Sequence, residues 1–370
     1  MSTNIFSPSP TDFSTTPNRN LVLNGAMVWD QKNEGNVYSS TGTEVYSLDQ
    51  WRFVGSGASG VFSIQRVASS APGFPFSLNM VVTTQQASLA ATDNFHLEHP
   101  IEGSRIGCLK YGTANAVTTN LSFWARASTT GNYSVSLMEG TNSRSYVTTF
   151  NIAVANTWEY KTILIPGDTS GTYQTADSTF GLKIIWSLGV GSTYSTATSE
   201  TWQGAAYWNK TGSNQLIQQA NGNNLYITGV QFEIGSFPTA FEYLFPSQEL
   251  QLLRRYYYKT FPKGTAVAQN AGRNGYIAYI SQLAGVNGNS VMVKYPVTMA
   301  SATPTITTYN PSAANALWRS NAGGGTDSGA ITVFFDSCDG FIAYNPQVAG
   351  QLPGEIIGIH FTSNARLGGG

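Results

Sequence analysis

Between residues 20 and about 235 the chain is built from short segments in which apolar and polar residues alternate, separated by clusters of Gly, Asn, Ser and Thr. In residues 121–127, Leu121, Phe123 and Ala125 alternate with Ser122, Trp124 and Arg126; in residues 133–137, Tyr133, Val135 and Leu137 alternate with serines. A period of two sends successive side chains to opposite faces of a strand, so each segment can bury one face and leave the other wet. Repeated at short spacing with turn-forming residues between, the pattern predicts a β-sandwich or jelly roll with few helices. Leu182, Ile184, Trp186 and Leu188 share one face. Tyr226, Val230, Phe232 and Ile234 share another across Gly229, where a bulge or kink is expected.

A chain of 370 residues exceeds what one core usually organises, which predicts two domains. One helix interrupts the strands at residues 247–258. There Leu250, Leu253 and Tyr257 fall at i, i+3 and i+7, just after Pro246 and with Glu249 in the first turn. Strands resume near 276–281, 290–295, 305–309, 331–335, 341–344 and 356–362. The expected organisation is therefore an N-terminal tail (1–19), a sandwich (20–245), a linking helix (246–258) and a smaller C-terminal β domain (259–370). The tail carries three prolines among Ser, Thr and Asn, which favours extended backbone. Phe6 and Phe13 are its candidate anchors for docking on a partner; a disordered leader is the alternative.

Charge narrows the function classes. Only 11% of residues are charged, against about one quarter in ordinary soluble proteins, and the net charge is −1. With Lys and Arg scattered singly, nothing is arranged to neutralise a phosphate backbone, so nucleic acid is not an expected partner. No apolar run approaches the length of a membrane span, and no basic-then-apolar leader opens the chain, so neither membrane insertion nor classical export is expected. Cys108 and Cys338 fall in different expected domains and are read as buried free thiols.

Several segments, in order, resemble a family of tailed-bacteriophage virion proteins. They are residues 20–31 (NLVLNGAMVWDQ), 47–52 (SLDQWR), 96–103 (HLEHPIEG) and 121–126 (LSFWAR), with the strongest match at 228–243 (TGVQFEIGSFPTAFEY) followed by 249–257 (ELQLLRRYY). The C-terminal part adds 295–305 (YPVTMASATPT) and 361–367 (FTSNARL). Two positions depart from the family pattern: Arg254 stands where a Cys is usual and Arg366 where an acidic residue is usual. The resemblance implies a jelly roll related to carbohydrate-binding modules with a smaller β domain behind it, in a non-enzymatic structural protein of the virion. A tail fibre or tail appendage used in host attachment is the first reading and a capsid decoration or head fibre the alternative; a secreted carbohydrate-active enzyme is the third class. Partners would be other virion proteins and a host surface polysaccharide. The resemblance also implies a homotrimer, for which the apolar residues Leu250, Leu252, Leu253, Tyr256 and Tyr257 are the seam candidates; a helix wedged between the two domains of one chain is the competitor.

The chemistry-bearing residues are few. Glu98 and Glu102 would lie about 13 Å apart on an extended strand with Pro100 between them, so no paired-carboxylate hydrolase is expected. His96, Glu98 and His99 do not have the spacing of a helical zinc motif, and on a strand His99 faces away from the other two. The glycines 323–325 lack the lysine and the strand-to-helix setting of a phosphate loop. Trp202, Tyr207 and Trp208, in a polar stretch without core periodicity, are the glycan-binding candidates; capping a sandwich edge or a subunit interface is the alternative. No cofactor is expected beyond the structural calcium that related modules often hold, for which Asp30 or Glu233 would be a ligand.

Overall fold

The computed structural model describes residues 19–40, 44–281, 289–321, 326–329, 332–345 and 352–368. Phe6, Phe13 and the glycines 323–325 lie outside the described residues. The described chain is all-β, with antiparallel sheets and only short helices. It divides into two compact units. One is formed by the described residues of Met1–Val28, Ser39–Val45 and Trp51–Leu244, the other by those of Trp29–Tyr38, Tyr46–Gln50 and Phe245–Gly370.

The larger unit is a two-sheet jelly roll. One sheet runs in the order Val61–Val67, Ser77–Thr84, Asn224–Ile234, Thr119–Ala127, Glu159–Ile165. The other runs Ser145–Ile152, Gly131–Glu139, Phe180–Val190, Asn94–Glu102, Trp51–Ser56, with the short Trp202–Gln203 strand added at the Ser145–Ile152 edge. Successive strands repeatedly change sheet, as from Ser77–Thr84 to Asn94–Glu102 and from Thr119–Ala127 to Gly131–Glu139, which is how one chain closes a sandwich. The alternation is realised as burial: Leu121, Phe123, Ala125, Leu182, Ile184 and Trp186 are all sealed from water. Phe123 of the first sheet meets Trp186 of the second edge-to-face at 5.6 Å, and Trp186 in turn packs on Trp51 at 5.5 Å.

Gly229 is a bulge, and it corrects the reading of its strand. The pairing of Asn224–Ile234 with Thr119–Ala127 slips between Thr228 and Gln231, and Gly229 takes φ +61°. The extra residue reverses the parity, so Leu225 and Ile227 before it and Val230 and Phe232 after it all point into the core. Tyr226 is thereby on the opposite face from Val230 and Phe232, stacked under the Arg126 guanidinium at 5.0 Å. A side chain at position 229 would meet the Phe74 ring at 2.5 Å.

The smaller unit is organised by the long strand Ile356–Asn364, which pairs with Tyr257–Lys259, Ile277–Ile280, Thr305–Tyr309 and Arg319–Ser320. Its core gathers Trp318, Ile357, Ile359, Phe361, Met299 and Phe341. Asn289–Lys294, Gly340–Asn345 and Thr332–Ser337 form a further small sheet. Two early segments are woven into this unit. Gln31 donates from its amide nitrogen and its side chain to the Asp49 carboxylate, and the Tyr46 hydroxyl donates to the Leu367 carbonyl at 2.6 Å. The buried Arg366 guanidinium lies 4.4 Å from the Tyr46 ring and 4.5 Å from the Tyr257 ring.

The helix is shorter than its periodicity predicts, Pro246–Arg254. Tyr257–Lys259 is a strand instead, because a run of tyrosines suits a pleated surface and the Ile356–Asn364 strand supplies its hydrogen bonds.

Candidate functional site

The polar face of the second jelly-roll sheet carries a cleft of 230 Å³, built by the same alternation that fills the core. Residues Phe95, Leu97 and His99 of Asn94–Glu102 point inward, so His96 and Glu98 point out. In the neighbouring strands Arg52 is registered opposite Glu98 on one side and Ile185 on the other, with Lys183 two residues further along. The loop residues Glu44, Asn142 and Trp208 and the strand residue Phe180 also line it.

A continuous hydrogen-bonded array runs through the cleft. Arg52 Nη1 donates to Glu98 Oε1 at 2.8 Å and Arg52 Nη2 pairs with Glu44. The other Glu98 oxygen lies 3.2 Å from His96 Nε2, and His96 Nδ1 lies 2.7 Å from Asn94 Oδ1. Asn94 Oδ1 also accepts from Trp208 Nε1 at 3.1 Å, and the Trp208 ring is stacked on Tyr194 at 4.2 Å, which holds the indole against the array. Arg52 and Lys183 both approach the Phe180 ring, at 5.7 and 5.0 Å.

The surroundings of Glu98 favour its ionised form. Burial alone would raise the Glu98 pKa, but the His96 hydrogen bond and the charges of Arg52 and Lys183 bring it below the ordinary carboxylate range. A glycosidase needs one carboxyl held protonated to donate to the leaving oxygen, and Glu98 is tuned the opposite way. Lys183 is pushed down, chiefly because burial removes its ammonium from water.

Of the three glycan candidates, the structure brings only Trp208 into this cleft. Trp202 sits apart in an aromatic cluster, 5.6 Å from Tyr111, 5.6 Å from Tyr146 and 6.5 Å from Tyr173, with its Nε1 donating to the Pro166 carbonyl. Tyr207 is half-buried, and its backbone amide donates to Ser145 Oγ. Glu102 is buried at the far end of its strand and does not line the cleft. His99 faces the core, as its strand position predicts. Its Nε2 lies 3.0 Å from the Leu23 carbonyl oxygen and its ring packs edge-on against Trp51 at 5.0 Å.

The calcium candidates are occupied by protein donors. Asp30 accepts from the amides of Asn33 and Gly35, and Glu233 accepts from the amide and hydroxyl of Thr239 and from Gln231. Among the seam candidates, Leu253, Tyr256 and Tyr257 are buried in the smaller unit, Leu250 is half-buried and Leu252 is exposed. Cys108 is not a buried thiol: it sits exposed on the short turn Gly107–Leu109, where strand alternation no longer applies, and Cys338 is half-buried.

Sequence reasoning missed Arg52, Phe180, Lys183, Asn142 and Glu44. Lys183 had a signal, since a lone Lys between Leu182 and Ile184 must lie on the face opposite them. What it meets there depends on registers with strands 46 and 85 residues away in sequence, counting from Glu98 to Arg52 and from Lys183 to Glu98.

No protein-family model matches the chain, and no curated protein sequence matches it. Among solved structures it is similar to the enzymatically active domain of tailspike protein 4 of bacteriophage CBA120, at 13% identity and a TM-score of 0.30. That match covers 59% of this chain and 22% of the tailspike chain, so it spans less than a quarter of that protein. It is also similar to a putative sugar binding protein from Bacteroides thetaiotaomicron (10% identity, TM-score 0.31, 58% of this chain and 100% of that one). A third is the family 11 carbohydrate-binding module of a cellulosomal cellulase of Clostridium thermocellum (12% identity, TM-score 0.27, 54% of this chain and 99% of that one). These likenesses concern the β-sandwich arrangement and nothing finer.

Proposed function

We propose that this chain is a non-enzymatic structural protein of a bacteriophage virion, most consistent with a tail appendage, whose jelly roll contacts a host surface glycan through the cleft around Arg52, Glu98 and Lys183. The observation that carries the glycan reading is the cleft itself. It is an open depression on a sheet face, lined by planar and charged hydrogen-bonding groups held in place by one another, with a fixed indole at its wall.

The virion assignment is supported by the ordered motifs of the sequence, above all residues 228–243. In the fold Phe241 and Tyr243 pack on Phe74, with rings at 5.0 and 5.8 Å, and the Tyr243 hydroxyl donates to the Gly73 carbonyl. That segment clasps the sandwich, which gives its sequence a structural reason. A homotrimer belongs to the same reading, with Leu252 as the seam candidate that is exposed. Analytical ultracentrifugation of the wild type and of Leu252→Glu tests it, and a wild-type monomer at high concentration would refute it.

The central test has two parts. Electron microscopy of the particle locates the chain on tail or head, and absence from the particle refutes the virion reading. Adsorption of the purified protein to host cells is expected to fall at least tenfold in Arg52→Gln. Adsorption unchanged by that substitution would refute the cleft as the contact.

A further inference from the structure

One cation at the floor of the cleft has no direct ionic partner among the described residues. Lys183 is only 6% exposed. Among the described residues its ammonium has a single hydrogen-bond partner, the neutral side-chain oxygen of Asn142, and it forms no ion pair. Beside it, Arg52 is 7% exposed and Glu98 is 3% exposed. Both oxygens of Glu98 are engaged by Arg52 and His96 rather than by Lys183. Glu139, the next carboxylate, accepts hydrogen bonds at both oxygens from Thr141 and Ser143. Glu44 does meet Arg52, but from the rim, with 54% of its side chain exposed. The buried floor therefore holds two cations: Arg52 is ion-paired to Glu98 and Glu44, while Lys183, within electrostatic reach of Glu98 and Glu139, is bonded directly only to a neutral amide.

An ammonium taken out of water against a neutral amide and a ring face is costly, and a sugar hydroxyl would solvate it without compensating its charge. A carboxylate would do both, through charge-assisted bonds to Lys183 and the neighbouring guanidinium, both of which lie by the Phe180 ring.

Building on the reading of the cleft as a glycan site, we infer that its ligand is an acidic polysaccharide, one of whose sugar carboxylates is received between Lys183 and Arg52 over Phe180. Phe180 offers its ring to the sugar's apolar edge, and Trp208 bounds the far wall. The inference commits to a carboxylate; a phosphodiester of a phosphate-containing wall polymer is the competing anion, to be distinguished by experiment.

The experiment measures binding of the full chain by calorimetry to oligogalacturonate, oligomannuronate and oligosialic acid, each against its carboxyl-reduced neutral counterpart, and to a glycerol-phosphate polymer. At least one acidic glycan is expected to bind ten-fold or more tightly than its reduced form, with affinity falling as salt rises. Lys183→Gln should abolish that preference, while Lys183→Arg, which retains the charge, should keep most of it and so separates loss of charge from loss of fold. Equal binding of acidic and reduced forms, insensitive to Lys183→Gln, would overturn the acidic assignment and leave a neutral-glycan cleft. A preference for the glycerol-phosphate polymer over every carboxylate would overturn it in favour of phosphate. Binding to none of these probes would overturn the glycan reading beneath it.

Discussion

Acidification should weaken the jelly roll, and His99 contributes a share that can be isolated. Its ring is fully buried beside Trp51, Nε2 faces the Leu23 backbone, and Nδ1 meets no hydrogen-bond partner among the described residues. A proton on Nδ1 would place an unsatisfied charged donor in the core, and burial accordingly pushes the His99 pKa down from 6.5 to about 3. Because the folded-state value is the lower one, the unfolded chain binds the extra proton between those two values. Stability from this residue is thus complete above about pH 6.5 and is lost as pH falls toward 3. The slope approaches about 1.4 kcal/mol per pH unit, and between pH 7 and 4.5 the loss amounts to about 2.5 kcal/mol. Carboxylates titrate in the same range, so the comparison is with His99→Phe, which keeps a ring against Trp51 but cannot take the proton. That variant loses the Leu23 bond and should start lower by about 1–3 kcal/mol at pH 7. Its stability should then fall less steeply, so that the two curves converge by about 2.5 kcal/mol at pH 4.5. Urea titrations at stepped pH, followed by tryptophan fluorescence, measure this. Parallel curves for the wild type and His99→Phe would refute the argument.

Three other outcomes follow from local geometry. Gly229→Ala, which meets the Phe74 ring and must hold φ +61°, should cost about 2–5 kcal/mol in thermal or urea unfolding, whereas Gly212→Ala, with φ +87° and open space around it, should cost only about 1–2 kcal/mol. On the helix Pro246–Arg254, Leu253→Ala should destabilise the smaller unit by about 2–5 kcal/mol and Leu252→Ala by no more than about 0.5 kcal/mol in the isolated chain; equal effects would contradict the observed burial. Glu98→Gln removes the carboxylate bonded to Arg52 and electrostatically coupled to Lys183, so acidic probes should bind no more weakly to it than to wild type if the variant remains folded by circular dichroism, and a loss of binding would mean that Glu98 itself contacts the ligand.

Strand identity was legible because it is a local property. Whether Leu121, Phe123 and Ala125 face inward depends on their spacing, and the strand Thr305–Tyr309 falls where its residue types place it. Composition and alternation by themselves determined an all-β chain interrupted by a short helix, but not that Trp29–Tyr38 and Tyr46–Gln50 join the smaller unit. They also determined that His96 and Glu98 share a face which His99 does not. The end of the helix was not legible, since Tyr257 satisfies the helical period and was claimed instead by a strand a hundred residues later. Nor was the cleft. Arg52, Glu98 and Lys183 are far apart in sequence, and only long-range antiparallel pairing, with its bulges, determines which of them stand side by side. The same holds for Trp202 and Trp208, six residues apart and alike in residue type. One became part of an aromatic cluster and the other the wall of a charged cleft, because a side chain's environment is assembled from neighbours that tertiary structure alone selects.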